Sequence, residues 1–292
     1  MVRVLVLGVT GIIGHAVWCS LRENAELDVW GTFRSPNKLI HFPANTHSQL
    51  ICGLDVLNQD ELISAFERVK PDVVINCIGL IKQLSSANDP LAIMPINALF
   101  PHRLAKLCAL IHARLIHMST DCVFSGKKGS YVESDPSDAE DLYGKSKFIG
   151  ELTQVPNAVT LRTSTIGHEL NSHYALIDWF LSQNDKVKGY VNAIFSGLPT
   201  IELGRVIRDY VIPNKNLVGL YHVSAKPIGK YDLLTMVAEV YNKKITIDPD
   251  ISVFIDRSLC SKRFEEQTGY IAPSWPQLIE LMYESKKLIG VA

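Results

Sequence analysis

The chain has 292 residues, 47% hydrophobic and 20% charged, a composition typical of a soluble globular protein with room for a sizeable core. No run approaches the roughly 18 uninterrupted apolar residues of a membrane helix. A formal net charge of −1 excludes the basic face of a nucleic-acid binder.

The opening run from Met1 to Leu7 carries one positive charge, but glycines interrupt it at once and no small-residue cleavage site follows, so it reads as a buried strand. Short β-branched runs then alternate with longer helical patterns. Strands are expected at Val2–Leu7, Leu27–Thr32, Gln49–Gly53, Val73–Cys77, Arg114–Met118 and Ala158–Leu161. Helices are expected around Ile13–Leu21, Asp60–Val69, Pro95–Ile111 and Tyr143–Thr153. This alternation predicts an α/β fold, a doubly wound parallel sheet of the Rossmann-like type. After about Thr163 the pattern loosens into loops and short helices at Tyr231–Tyr241 and Pro276–Glu284. The expected organisation is a cofactor domain over 1–165 and a smaller substrate lobe over 166–292, intertwined rather than independent.

Six cysteines are scattered without a C-x-x-C pair and the nine histidines lack ligand spacing, so free thiols in a reducing cytoplasm and no metal site are expected.

Gly8-Val-Thr10-Gly11-Ile12-Ile13-Gly14 follows the first predicted strand and opens the first predicted helix. Glycines let the backbone pass close to a pyrophosphate, whose charge is favoured by the helix N-terminus. About 20 residues beyond such a loop, NAD enzymes often place an acidic residue on the ribose 2′-hydroxyl. Here the sequence reads Gly31-Thr-Phe-Arg34-Ser35, and a guanidinium can fork onto a 2′-phosphate. The pattern therefore favours NADP(H) over NAD(H). Asp55-Val56 after the third strand and Cys77-Ile78-Gly79 after the fourth belong to the same cleft if the strand order holds, though either can be an ordinary turn.

Tyr143 and Lys147 stand four apart, on one face of a helix. Hydride reduction of a carbonyl needs a proton donor. A nearby ammonium lowers the pKa of a phenol, so Lys147 is expected to bring Tyr143 down towards neutrality. Ser119-Thr120-Asp121 follows another strand end, where the Thr120 hydroxyl can polarise a substrate carbonyl. Two exposed helix residues and a plain turn would explain the same letters.

Taken with Ile96-Asn97-Ala98, Ser119-Thr-Asp-Cys-Val-Phe-Ser-Gly126, Tyr143-Gly-Lys-Ser-Lys-Phe-Ile-Gly-Glu151, Leu161-Arg-Thr-Ser164 and Arg257-Ser-Leu259, these motifs resemble the dTDP-4-dehydrorhamnose reductases, within the extended short-chain dehydrogenases. The resemblance runs nearly end to end. It implies an NADPH-dependent reductase of a nucleotide-linked 4-keto-6-deoxy sugar, serving surface polysaccharide precursors in the cytoplasm. Thr120, Tyr143 and Lys147 would be catalytic, with Tyr143 and Lys147 also touching the cofactor. Lys82, Asn97, Asp121, Cys122 and Arg257 would lie on the substrate side, Arg257 at the diphosphate. A homodimer is compatible with the resemblance.

The chain departs from the family by Cys122 where Tyr is usual and by Cys77-Ile78 where alanines are usual. Cys122, two positions after Thr120, also matches an epimerase/reductase of the GDP-fucose synthase kind. A non-catalytic regulatory subunit, like the β-subunit of methionine adenosyltransferase, is a further alternative.

Overall fold

A computed structural model describes residues 1–82, 85–170 and 175–288. The central element is a seven-stranded sheet built from β1 (Val2–Leu7), β2 (Leu27–Phe33), β3 (Leu50–Cys52), β4 (Val73–Asn76), β5 (Arg114–Thr120), β6 (Ala158–Thr163) and β7 (Gly219–His222). Its order is β7-β6-β5-β4-β1-β2-β3, every pair parallel. Val4 stands opposite Val29 on one side and Val73 on the other, so the winding reverses between β1 and β4. Open α/β sheets bind ligands at that switch point, outside the carboxyl ends of the strands.

The near-continuous apolar run of β1 is explained by burial on both faces. Val4 and Val6 enter one core cluster, while Leu5 and Leu7 enter the other. The first cluster holds Val17 and Leu21 of α1 (Ile12–Arg22). The second holds Leu62 and Phe66 of α2 (Gln59–Val69) with Leu104 and Cys108 of α3 (Phe100–Leu110).

The expected helix over 95–111 is interrupted. A turn of α-helix at Pro90–Ile93 runs into a π-helical stretch, Met94–Leu99, before α3 begins. The helix expected to reach Thr153 is α4 (Leu142–Ile149), capped at Gly150, where a Cβ would stand 2.0 Å from the Asn97 carbonyl. Close packing of those two backbones stops the helix there.

Beyond residue 163 lie α5 (Leu176–Ser182), α6 (Thr200–Val206), α7 (Lys230–Val240), α8 (Lys262–Thr268) and α9 (Trp275–Leu288). Strand β7 was not foreseen. It is four residues long and follows the polar loop Pro213-Asn-Lys-Asn216, so no periodicity announces it. It nonetheless extends the sheet, pairing Tyr221 with Leu161. Arg114 secures the approach to this strand by donating to the carbonyls of Val211 (2.6 Å) and Leu217 (2.9 Å). Trp275 is buried with its indole N–H on the Lys226 carbonyl, whereas Trp179 is partly exposed. Neither forms a stacking platform with the other.

Candidate active site

Five strand ends bring the singled-out residues to one edge of the sheet. The loop after β1 turns through Gly8, whose φ of +87° is a left-handed conformation suited to glycine. A Cβ on Gly14 would lie 2.2 Å from the Gly8 carbonyl oxygen, so the strand and the helix approach as closely as backbones can. Helix α1 starts after Gly11 with no side chain capping its first turn. The N–H groups of that turn, from Ile12 onward, are the donors a helix start leaves without intrahelical partners. Thr10 lies in the turn between them. This cradle fits a pyrophosphate, since the glycines let strand, loop and helix pack closely and the uncapped dipole end of α1 faces it.

Arg34 follows β2, exposed and without an ion pair among the described residues. After β3, one carboxylate oxygen of Asp55 accepts from the Leu57 N–H at 3.0 Å, which shapes the turn, and Val56 is buried beside it. After β4, Asn76 accepts from the Ile78 N–H (3.1 Å) and faces the His117 ring at 3.1 Å. This holds the Cys77-Ile78-Gly79 segment against the glycine loop, Cys77 Cβ lying 3.3 Å from a Cβ placed on Gly14. Gly79 faces Asn97 and the Lys147 ammonium.

Asn97 ties three pieces of backbone together. Its amide accepts from the Leu80 N–H (2.9 Å), donates to the Leu80 carbonyl (3.0 Å) and reaches Ser146 Oγ of α4 (3.3 Å). The π-helical stretch places it there; such stretches recur at functional sites.

Strand β5 runs two residues further than expected, so Ser119 and Thr120 belong to the strand itself. Thr120 Oγ1 accepts from the Cys122 N–H, donates to Asp121 Oδ1 (both 3.1 Å) and faces the Tyr143 phenol as a hydrogen-bond partner. Helix α4 begins at the Asp141 cap, whose Oδ1 accepts from the Gly144 N–H at 2.7 Å. Its first turn presents Tyr143, half-buried, and its next turn buries Lys147, whose ammonium donates to the Met118 carbonyl at 2.6 Å. Thr120 and Tyr143 thus face one another, and Lys147 lies one helical turn further on with its ammonium against β5.

The electrostatics differ from the expectation in one respect. Burial pushes the Tyr143 phenol well above its ordinary value, with Cys122 and Asp121 adding to the rise and Thr120 opposing it. Lys147 is not among the groups that shift the phenol, and its ammonium points to the backbone of β5. Burial instead lowers Lys147 to about 8, partly offset by Glu151. The phenol is therefore protonated at neutral pH, the state of a proton donor.

On the outer side, Asp121 is raised by burial against the pull of Arg257 and hydrogen bonds from Thr120, Cys122 and Ser164. Cys122 is pushed up to about 12 by burial and by Asp121. Arg257 donates through Nε to the Phe124 carbonyl (2.7 Å). Lys82, expected on the substrate side, is paired with Asp141 Oδ2 at 2.6 Å, so it braces the cap of α4.

The profile of the family described as "RmlD substrate binding domain" matches residues 2–251. The chain belongs to this family. It is 26% identical over 242 residues to a dTDP-4-dehydrorhamnose reductase of Aggregatibacter actinomycetemcomitans, covering 80% of this chain and 76% of that one. It is 27% identical over 252 residues to methionine adenosyltransferase 2 subunit beta of Danio rerio, covering 82% and 74%. In fold it matches a dTDP-4-dehydrorhamnose reductase from Bacillus anthracis, solved in complex with NADP, with a TM-score of 0.78 at 20% identity over 98% of this chain and 100% of that one.

Within this family member, sequence reasoning passed over a buried polar group behind the site. Ser119 donates to Glu151 Oε1 at 2.7 Å, and Arg162 forks onto the same carboxylate with two 2.6 Å bonds. Arg162 also contacts the His222 ring at 3.2 Å. Glu151 and Arg162 both lay inside the motifs Tyr143–Glu151 and Leu161–Ser164, but only their meeting across the fold marks them. No helix among the described residues is long and apolar enough to cross a membrane.

Proposed function

We propose that the chain is an NADPH-dependent reductase acting on a nucleotide-linked 4-keto-6-deoxy sugar, in the supply of surface polysaccharide precursors. The observation that carries this reading is the convergence of Thr120, a protonated Tyr143 and a buried Lys147 beside a glycine cradle. The relatives named as dTDP-4-dehydrorhamnose reductases support the substrate class, and the NADP complex of the fold relative supports the cofactor.

Bound in the cleft, NADPH would supply the hydride. The backbone of the Gly8–Gly14 loop and the start of α1 would hold its pyrophosphate, and Arg34 its 2′-phosphate. Asp55 would accept from the adenine amino group with the oxygen its turn leaves over. Cys77, Ile78 and Gly79 would line the nicotinamide end. Thr120 would turn its hydroxyl proton from Asp121 to the substrate carbonyl oxygen, and Tyr143 would give that oxygen its proton as negative charge develops there. Lys147 would hold the cofactor ribose and, close to half-protonated near pH 8, replace the proton Tyr143 gives up. Arg257, drawn to Asp121 at the mouth, would meet the diphosphate of the sugar nucleotide.

A second reading uses Cys122 as proton donor in an added epimerisation. Its high pKa keeps it a thiol, suited to giving a proton to a carbanion but not to taking one. Solvent deuterium at the carbons flanking the reduced centre would mark that activity, and its absence would leave simple reduction.

The deciding experiment follows consumption of NADPH, and of NADH as control, against dTDP-, UDP- and GDP-linked 4-keto-6-deoxy sugars. One substrate should be reduced with preference for NADPH, and Arg34→Ala should weaken NADPH at least tenfold while leaving NADH nearly unchanged. Tight NADPH binding with no turnover on any sugar would sink the reductase reading in favour of a regulatory subunit.

A further inference from the structure

Behind the proposed catalytic groups lies an ion pair that the chemistry described so far does not use. Arg162 of β6 and Glu151, just past the end of α4, are both almost completely buried, and their 2.6 Å fork is one of the most enclosed charge pairs in the chain. Removing two charges from water is unfavourable unless every remaining donor and acceptor is satisfied. Here they are. Glu151 Oε1 also accepts from Ser119, the residue before Thr120, and Arg162 is extended by the His222 ring and lies 5.0 Å over Phe124. Replacement of such a pair by apolar residues is often neutral or stabilising, so stability alone does not account for a carboxylate at this place.

The place itself is informative. Glu151 stands four residues after Lys147, one residue past the Gly150 cap of α4, whose N–H still bonds the Ser146 carbonyl. The groups facing Lys147 from other elements are Cys77 after β4 and His117 on β5. Cys77 is pushed up to about 12 by burial, and burial holds His117 well below its ordinary value, so both are neutral at pH 7. Tyr143, on the same helix, is protonated. Among the described residues Glu151 is thus the anion set against this buried ammonium.

We propose that Glu151 is a positioning residue for the site: its carboxylate, held by Arg162 and bonded by Ser119, ties the Thr120 end of β5 to the end of the helix carrying Tyr143 and stands as the counter-charge to Lys147. Arg162 fixes the carboxylate so that it cannot turn away, and Ser119 transmits its position to the neighbouring threonine. The consequence for turnover rests on the reductase reading, but the effect on Lys147 does not.

The test measures Lys147 directly. In protein labelled with carbon-13 at the lysine Cε, the Lys147 signal is assigned by its loss in Lys147→Arg and followed against pH. The midpoint should fall measurably in Glu151→Gln, as expected for loss of an opposite charge that favours the ammonium. Because that variant leaves Arg162 buried and unpaired, the double variant Glu151→Gln with Arg162→Gln serves as a check on folding, with a smaller fall because the lost guanidinium charge offsets part of the lost carboxylate. An unchanged midpoint in folded Glu151→Gln overturns the proposal. The alkaline limb of the turnover profile should move to lower pH with the lysine. A lysine that moves while the turnover profile stays in place supports the role of Glu151 and counts instead against Lys147 as a participant in the chemistry.

Discussion

Tyr143 carries the sharpest expectation at the level of single residues. Its phenol is protonated, faces Thr120 and has no part in the glycine cradle. Tyr143→Phe should therefore lower kcat by about two to four orders of magnitude, the usual worth of a positioned general acid, with NADPH affinity changed little. Normal turnover with an altered cofactor Kd would reassign the residue from proton donor to binding surface. Tyr143, Lys147 and Thr120 were legible in the sequence because their chemistry needs fixed residue types at short spacing. The direction of the Tyr143 shift was not legible, since it depends on burial and on where the Lys147 ammonium points. Lys82 shows the same limit: the resemblance puts it on the substrate side, yet its charge is spent on Asp141, 59 residues away in the chain. Arg162 and Glu151 sat in recognisable motifs, but nothing local announces that they pair behind the active-site strand.

Elements were easiest to read where burial on both faces imposes a continuous apolar run. The six strands of the first half fall within two residues of their expected ends because each is flanked by turn formers. Helices were harder at their ends. The π-helical stretch at Met94–Leu99 and the stop at Gly150 meet at one contact, the Asn97 carbonyl against Gly150, which no periodicity encodes. The glycine loop lends itself to a test within one element. Gly11 and Gly14 look alike in sequence, yet a Cβ at Gly14 meets the Gly8 carbonyl at 2.2 Å whereas one at Gly11 finds it at 3.5 Å. Overpacking against backbone is expected to destabilise by about 1–3 kcal/mol. Without ligand, Gly14→Ala should melt several degrees lower than wild type, while Gly11→Ala, at an extended N-cap position, should stay close to it. Equal melting temperatures for the two variants would show that the loop yields more readily than its backbone contacts imply.

In the molecule as a whole, β7 closes one edge of the sheet, and its junction with the buried Glu151–Arg162 pair makes stability depend on pH. His222 lies in β7 and is fully buried, donating through one ring nitrogen to the Tyr131 carbonyl at 3.1 Å and meeting the Arg162 guanidinium with the other at 3.2 Å. A guanidinium can only donate, so that second nitrogen accepts and the ring is neutral. Burial and Arg162 accordingly lower His222 from 6.5 to about 3. In the unfolded chain the same ring takes up a proton near pH 6.5, so below that pH the unfolded state binds more protons than the folded one. The stabilisation is complete above about 6.5 and is lost progressively as the pH falls towards 3. Between pH 7 and pH 5 this single group should remove about 2 kcal/mol, a fall of several degrees in Tm. Asp121, raised by burial, acts in the opposite sense, so the two are separated by a variant rather than by the wild-type curve alone. His222→Gln keeps a donor and an acceptor but cannot titrate, and its Tm should fall less steeply than that of wild type over the same interval. Parallel curves would mean that the junction between β7 and the Glu151–Arg162 pair opens before His222 is protonated, and that acid unfolds the protein from another point.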